Sequence, residues 1–414
     1  MRFDADVAVV GGGPAGTAAA ILLANAGWDV VLIEQHRFPR HKVCGECIAA
    51  GNLALLDRLG IGEAFRERAG PEIRQVGWIS AARTVVAEMP ACTEGPYRYG
   101  RALGRDCLDE LLMARARSAG VQILQPASVR RISGGPGRFA CRYVVTANAA
   151  GDNWGADECV LNVPVVVDAH GSWQRAPGIP DAPLPSQPLR RLDSDLLAFK
   201  ARFRDGNLPS GFLPVLSFPG GYGGLVVADQ QRITLACCIR RDALRKCRAL
   251  AAGVPAGAAI EAHLRRCCRG VAEALENAQR EGPWLAVGPI RPGIDVEAHG
   301  AGLRIGNAAG ESHPLVGEGI SMALQSASLL VHHLKRRTPR SIDSSCSAEV
   351  ERQYAVAWRR EFAARLRFAA LYAHSAMSPA LAAPTSAILR RLPRFLTLAA
   401  RLAGKARQLD VSLT

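Results

Sequence analysis

The first residues of the chain that could do chemistry are three glycines and a carboxylate near the N-terminus. Gly11, Gly13 and Gly16 lie between an apolar run and an alanine-rich run, and Glu34 ends a second apolar run. A strand, a glycine-rich turn, a helix and a second strand in this order predict a βαβ unit that binds a dinucleotide. Gly11 permits a tight turn, Gly13 lets the backbone approach a pyrophosphate, and Gly16 lets the helix lie close to the sheet.

The same segment predicts which part of the nucleotide each residue meets. The helix that begins with Pro14 and Ala15 would present free amide donors and a partial positive charge to the phosphates. We expect Glu34, followed by Gln35, to accept hydrogen bonds from both ribose hydroxyls of an adenosine. A 2′-phosphate would meet a like charge at Glu34, so the residues favour FAD or NAD over NADP.

Composition predicts a large soluble protein and excludes several classes of partner. With 414 residues, 49% of them hydrophobic, the chain can bury the cores of two interleaved domains. No apolar run approaches the roughly 20 residues that span a bilayer, and the first strand begins by Asp6, which leaves no room for a signal peptide. We therefore expect a cytoplasmic location. The alternative is a cytoplasmic protein attached to the inner face of the membrane.

The net charge of +14 does not indicate nucleic-acid binding, because its arginines are scattered and no basic run is interleaved with aromatic residues. Twelve cysteines without regular spacing predict reduced thiols, and no metal site is expected. Cys44 and Cys47 form a C-x-x-C motif. They are interpreted as loop thiols beside a cofactor rather than a redox pair, because nothing around them resembles thioredoxin.

Three separate glycine-containing segments indicate a resemblance to a known protein family over about residues 4–334. They are residues 11–16, the segment Asp168-Ala169-His170-Gly171, and residues 306–310 followed by Pro314, Gly317 and Gly319. In this order they resemble the FAD-dependent aromatic hydroxylase superfamily, specifically its branch of geranylgeranyl reductases and flavin-dependent halogenases. The segment from Lys42 to Glu46 is similar to the K-x-C-G segment of the geranylgeranyl reductases, which lies near the flavin ring.

The resemblance implies non-covalently bound FAD, with Arg105 at the start of a helix in contact with it. The small residues before Gly319 leave room for a flat ring, and the helix that follows offers backbone amides to the N1–C2=O edge of an isoalloxazine. Cys44, Tyr222 and Pro314 are the candidate catalytic residues. The predicted cofactor contacts are Gly11, Gly13, Pro14, Ala15, Gly16, Glu34, Gln35, Lys42, Cys44, Arg105, Gly171, Asn307, Gly317, Gly319 and Ile320.

Two departures from the family pattern affect this prediction. Asn307 replaces an aspartate, and its amide can still bond a ribityl hydroxyl as a neutral group. His170 replaces an aspartate that organises FAD and the nicotinamide cofactor, which leaves open whether NADH, NADPH or another reductant supplies electrons. We expect His170 to be a loop histidine near a phosphate, with an acid or base role as the alternative.

The predicted fold class is α/β, with a Rossmann-like FAD-binding domain interleaved with a β-sheet substrate domain, plus a helical basic C-terminal region. The FAD-binding domain takes residues 1–70, 101–182 and 284–335. The substrate domain takes residues 71–100 and 183–283, and the C-terminal region takes residues 336–414.

The favoured function is an NAD(P)H-dependent monooxygenase for a bulky aromatic, polyketide or lipid-like molecule. The alternative is a geranylgeranyl-reductase-like reduction of an isoprenoid or lipid alkene, in which Tyr222 donates a proton or simply packs. Halogenation is disfavoured, because no lysine lies between residues 52 and 199 and no W-x-W segment exists. A non-catalytic flavin-binding protein is disfavoured by the retained ring site.

The C-terminal region is unusually basic. Residues 351–407 contain eleven Lys or Arg and only two acids. The favoured interpretation is helical packing with a solvated basic face, with Pro393 dividing the helix. The alternative is that this basic region is a docking surface for an anionic membrane or an acidic acyl carrier protein.

Overall fold

The structure is a computed structural model, and it describes residues 4–81, 83–145, 158–172, 191–297, 302–337 and 342–408. The predicted start of the second substrate-domain segment, at residue 183, lies outside these residues. The strands, in chain order, are β1 Val7–Val10, β2 Val30–Ile33, β3 Cys47–Ile48, β4 Gln75–Ser80, β5 Arg83–Glu88, β6 Arg101–Ala102, β7 Gln122–Leu124, β8 Ala127–Gly135, β9 Arg138–Val145, β10 Glu158–Val163, β11 Val165–Asp168, β12 Leu196–Arg204, β13 Phe212–Phe218, β14 Gly221–Val227, β15 Ile233–Arg240, β16 Gln279–Ile290, β17 Gly293–Ile294, β18 Leu303–Arg304 and β19 Gly310–Glu311.

The helices, in chain order, are α1 Pro14–Asn25, α2 Leu53–Arg58, α3 Gly62–Arg68, α4 Arg105–Ser118, α5 Arg241–Leu250, α6 Ala256–Cys267, α7 Arg269–Ala274, α8 Gly319–Leu334, α9 Ser344–Met377, α10 Pro379–Arg391 and α11 Arg394–Leu402.

A five-stranded parallel sheet forms the centre of the nucleotide-binding half. Its order is β18-β11-β1-β2-β7, and Val7 pairs with both Val165 and Val30. Strands β1, β2 and β11 are buried on both faces, which explains why each is a run of valine, leucine and isoleucine without alternation. The predicted α/β class is confirmed.

Helix α8 crosses the middle of this half and packs on α1. All but two of its sixteen residues are buried, which is why small and apolar side chains dominate its sequence. This is the helix predicted to follow the small residues before Gly319, and it begins at Gly319. Its N-terminus lies directly after the segment that the sequence predicts to hold a flavin ring.

A seven-stranded sheet forms the other half, in the order β16-β12-β15-β14-β13-β4-β5. Strands β4 and β5 come from residues 71–100 and join the later strands through a parallel pairing of β4 with β13. The remaining pairings in this sheet are antiparallel. The chain therefore enters this half twice and returns twice to the nucleotide-binding half, and the exact domain boundaries stay a prediction.

Three helices follow at the C-terminus and pack on β4 and β5. Pro393 lies between α10 and α11, so it divides the helix as predicted. The Trp78 Nε1 donates to Ser386 Oγ at 3.0 Å, and Thr397 Oγ1 donates to the Glu88 carbonyl at 2.7 Å. Within the described parts of the chain, no helix is both long and apolar enough to cross a membrane.

Candidate active site

One cavity of about 270 Å³ runs between the two halves, from the first glycine-rich turn to the C-terminal helices. Two of the predicted site residues, Gly16 and Gln35, do not line it. Gly16 is packed behind it, and Gln35 points to the surface beside His36. The predicted residues that line the cavity are Gly11, Gly13, Pro14, Ala15, Glu34, Lys42, Cys44, Arg105, His170, Gly171, Tyr222, Asn307, Pro314, Gly317, Gly319 and Ile320.

The glycine-rich turn has the backbone that the sequence predicts. Gly11 has a φ of +108°, and a Cβ there would lie 2.4 Å from the Ala169 carbonyl oxygen. A Cβ at Gly16 would lie 1.9 Å from the Gly11 carbonyl oxygen, so only glycine lets α1 pack this closely. At Gly13 the space is open, because a Cβ would meet nothing closer than Arg40 Nη2 at 3.8 Å. The turn therefore leaves room for a group that the chain does not supply.

Cations surround that open space. Arg105 Nη2 lies 4.0 Å from the position of a Gly13 Cβ, and Arg40 Nη2 lies 3.8 Å from it. Asp109 holds Arg105 through bonds of 2.7 and 2.8 Å, and its Oδ2 lies 3.5 Å from Arg40 Nε. Burial, with Arg40 and Arg105 nearby, lowers the pKa of Lys42 to about 8. This arrangement suits a pyrophosphate, and the sequence analysis missed Arg40 and Asp109 in it.

The Glu34 carboxylate is buried at the end of β2, as predicted. It accepts hydrogen bonds from the Gly12 and His36 amides, each at 2.7 Å, and from Arg40 Nη1 at 3.0 Å. The Arg40 guanidinium offsets the charge of Glu34. The like-charge argument against a 2′-phosphate is therefore weaker than the sequence alone indicates.

The loop that carries Cys44 is anchored across the two halves by Glu46. This residue is fully buried and has a φ of +61°. Its carboxylate accepts from Thr234 Oγ1 at 2.5 Å and Arg202 Nη2 at 2.7 Å, and it pairs with Lys200. Burial alone would raise the pKa of Glu46. The nearby Lys200 and Arg202 lower it by more than burial raises it, so the net shift of the pKa is downward. This network was not predicted from the sequence, because all three partners are more than 150 residues from Glu46 along the chain.

The far end of the cavity holds a lysine from the C-terminus. Lys405 Nζ lies 3.1 Å from the Gly317 carbonyl oxygen, 3.0 Å from Glu318 Oε1 and 3.5 Å from Cys47 Sγ. Burial lowers the pKa of Lys405, but Cys47 and Glu318 raise it more. Burial raises the pKa of Cys47, and both Cys44 and Cys47 are free thiols. A cation therefore lies beside the segment predicted to face the flavin ring.

Tyr222 lines the cavity and contacts His313, which is not one of the lining residues. Tyr222 Oη and His313 Nδ1 are 3.0 Å apart, and Tyr222 is almost fully buried. Burial raises the pKa of Tyr222 and lowers that of His313 to about 4, so both groups are neutral near pH 7. The sequence analysis singled out Tyr222 but missed His313. The pair can hold and pass one proton.

The two departures from the family pattern have local partners. His170 Nδ1 contacts Asp168 Oδ1, and the Asn307 amide donates to Ser172 Oγ at 2.7 Å. Asp168 ends β11, so its carboxylate lies beside His170 in the cavity wall. The role of His170 toward a bound nucleotide stays a prediction.

The residues present fit FAD. An open glycine cradle, two guanidinium groups and a buried carboxylate line one end of the cavity, and a helix N-terminus with Gly319 lies at the other. No protein atom lies within 4 Å of a Cβ built at Gly319. The cavity between these ends is continuous, as an extended dinucleotide requires.

Comparison with known proteins agrees with this fit. A family described as "FAD binding domain" matches residues 4–148. A menaquinone reductase of Mycobacterium tuberculosis is 37% identical over 123 residues, which cover 29% of each chain. The 6-methylpretetramide 4-monooxygenase of Streptomyces rimosus is 29% identical over 52% of this chain and 51% of that enzyme. The match thus spans less than a third of the length of the menaquinone reductase.

The fold also has solved counterparts. A flavin-dependent brominase superimposes with a TM-score of 0.72 at 18% identity, covering 97% of this chain and 93% of the brominase. At this identity the likeness concerns the fold alone. Residues 4–148 therefore match the family of FAD-binding domains, and the whole chain shares the fold of a flavin-dependent enzyme.

Proposed function

We propose that the protein is an FAD-dependent oxidoreductase, and specifically an NAD(P)H-dependent monooxygenase for a bulky apolar molecule. The observation that carries this proposal is the continuity of the cavity. The nucleotide cradle opens into a chamber between the large sheet and the C-terminal helices. The apolar residues of that chamber are Val76, Met89, Leu213, Val215, Val226, Val287, Ile290, Leu315, Tyr372 and Leu396.

Some residues of the chain would bind the cofactor, and others would exclude water from the substrate. Glu34 would accept bonds from the ribose, Arg40 and Arg105 would neutralise the pyrophosphate, and the N-terminus of α8 would face the ring. Bound FAD supplies the redox chemistry, by accepting a hydride and passing electrons onward. The apolar chamber holds the substrate against the ring face and keeps the reaction away from water.

The proposed reaction consumes NAD(P)H and dioxygen. NAD(P)H gives two electrons, dioxygen gives one oxygen atom to the substrate, and the second oxygen atom leaves as water after taking up two protons. Tyr222 would move a proton at the chamber wall, and His313 would exchange it with Tyr222 through the 3.0 Å contact between Oη and Nδ1.

A second candidate is reduction of an alkene or quinone ring in an isoprenoid-like molecule. The same Tyr222 and His313 contact favours it, because hydride delivery to one carbon requires a proton donor for the other. The name of the relative from Mycobacterium tuberculosis, menaquinone reductase, supports this class. The segment from Lys42 to Glu46 is where the K-x-C-G resemblance lies, and Cys44 lines the cavity there.

The experiment uses the FAD-loaded protein with NADH or NADPH and a panel of apolar phenols, polyketides and prenylated quinones. Product mass is measured with isotopically labelled dioxygen and again without oxygen. A product that gains one labelled oxygen supports the monooxygenase. A product that gains two hydrogens anaerobically replaces it with the reductase. Flavin that neither NADH nor NADPH reduces would contradict the NAD(P)H-dependent monooxygenase.

A further inference from the structure

The last two helices expose large apolar side chains on their outer faces. Among the described residues, fifteen large hydrophobic side chains are exposed, and seven of them lie within residues 371–402. Six of these define what we call the C-terminal apolar surface. They are Leu381, Ile388, Leu392, Phe395, Leu398 and Leu402, each between 42% and 53% exposed.

The spacing of these side chains places them on one side of each helix. Leu381 and Ile388 are seven residues apart on α10, and Leu392 follows the last residue of that helix. Phe395, Leu398 and Leu402 are separated by three and four residues on α11. At 3.6 residues per turn, the members of each helix lie on one side of it. Apolar stripes that face outward are unusual on a monomer and indicate a partner surface.

The opposite face of α11 lines the cavity. Leu396 and Ala400 are buried in it, and Ala399 and Ala403 also line its wall. One helix therefore separates the substrate chamber from the C-terminal apolar surface.

The chain segment that forms the surface carries charge of one sign, although the exposed Glu88 of β5 lies beside α11. Residues 362–409 contain no Asp or Glu, and Arg390, Arg391, Arg394 and Arg401 are exposed there. On α11, Arg394 and Arg401 fall on a third face, beside the apolar stripe and away from the cavity. An outward apolar stripe flanked by arginines is the pattern of a helix that lies in a membrane interface.

We propose that the C-terminal apolar surface docks on an anionic lipid bilayer, so that an apolar substrate enters the cavity from the lipid past α11. The route of entry rests on the proposed function, whereas the docking does not. A second copy of the chain fits less well, because a symmetric contact would bring the arginines of both copies together. An acidic carrier protein would match the charge but leave the six apolar side chains without an apolar environment.

Vesicle co-sedimentation of the FAD-loaded full chain tests the docking. One set of vesicles is phosphatidylcholine with one third phosphatidylglycerol, and the other is phosphatidylcholine alone. We expect binding to the first, weaker binding to the second, and weakening by salt. Arg391→Gln with Arg394→Gln should weaken binding by about fivefold for each arginine. Phe395→Ser with Leu402→Ser should weaken binding to both vesicles by at least tenfold.

Matched controls alter other exposed surfaces. Leu250→Ser with Val254→Ser removes two exposed apolar side chains elsewhere, and Arg245→Gln with Arg269→Gln removes two exposed arginines. Both should bind vesicles like the wild type. FAD content, measured by absorbance, checks that each variant is folded.

The outcomes separate the alternatives. Absent binding, or equal binding by the test and control variants, overturns the proposal. So does salt-sensitive capture by an acyl carrier protein without vesicle binding, or a loss of dimer in the apolar variant by sedimentation velocity. If docking holds but no apolar substrate turns over, the proposed function fails while the docking surface stands. If NAD(P)H-driven turnover occurs without docking, the proposed function stands and the docking surface fails.

Discussion

Lys405 Nζ lies 3.0 Å from Glu318 Oε1, and this ion pair joins the C-terminal segment to the start of α8. The two side chains are 6% and 1% exposed, so water contributes little to either charge. The pair places one cation and one carboxylate at the end of the cavity that faces the predicted ring position. The C-terminal region is therefore part of the site rather than an appendage.

Lys405→Met should destabilise the protein, because it leaves the buried Glu318 carboxylate without its cation. The expected loss is about 3–5 kcal/mol of unfolding free energy, measured by urea denaturation. Adding Glu318→Gln should restore part of that loss. Lys335→Met, at an exposed lysine at the end of α8, is the matched control and should be near neutral. A loss equal to that of the control would mean that the pair has no energetic role.

Cys44→Ser and Cys47→Ser should both retain FAD, and only the first should change turnover. Cys44 lines the cavity and is half buried, whereas Cys47 packs against Lys405 at 3.5 Å. Flavin absorbance and NAD(P)H oxidation measure the two effects. Equal loss of activity in both variants, with the wild type sensitive to oxidant and reductant, would favour a dithiol pair instead.

Glu46→Gln should loosen the joint between the two halves. The variant keeps the size of the side chain but leaves Lys200 and Arg202 without their buried carboxylate. We expect a loss of about 3 kcal/mol in unfolding free energy. Glu281→Gln, which removes a more exposed partner of Arg204, is the control and should cost less than about 1 kcal/mol. A smaller effect at Glu46 than at Glu281 would contradict the anchoring role.

Lowering the pH should destabilise the protein through His313. Burial lowers its pKa from 6.5 to about 4, so between these values the unfolded chain binds a proton that the folded chain does not. Stability from this group is complete above about pH 6.5 and is lost as the pH falls toward 4. The thermal midpoint measured from pH 7.5 to 4.5 should fall less in His313→Gln than in the wild type. Identical curves would contradict the assignment.

The sequence predicted features whose physical requirements are local. A positive φ at Gly11 and the close approach at Gly16 follow from a turn within ten residues, and the bounds of α8 follow from its own apolar pattern. Lys405 and His313 could not be found this way. Lys405 reaches Cys47 from 358 positions along the chain, and only the folded arrangement of the two halves brings them together.

The role of Arg40 could not be predicted from the sequence for a different reason. It lies in a loop that the sequence marks as polar and irregular, and nothing local indicates that it turns back to Glu34. Its position changes the interpretation of Glu34, since the carboxylate is partly neutralised before any ribose arrives. A lone Lys or Arg in a loop carries no directional signal, whereas a glycine in a tight turn does.

The most direct test of the account is FAD binding by the wild type and by two glycine variants. Gly13→Val fills the open space beside Arg40 and Arg105, whereas Gly293→Val adds the same bulk where nothing lies within 4 Å and outside the cavity. Flavin absorbance after incubation with FAD and gel filtration gives the ratio of FAD to chain. We expect one FAD per chain in the wild type and in Gly293→Val, and none in folded Gly13→Val, with circular dichroism as the check on folding. Full flavin absorbance in Gly13→Val, or none in the wild type, would contradict it.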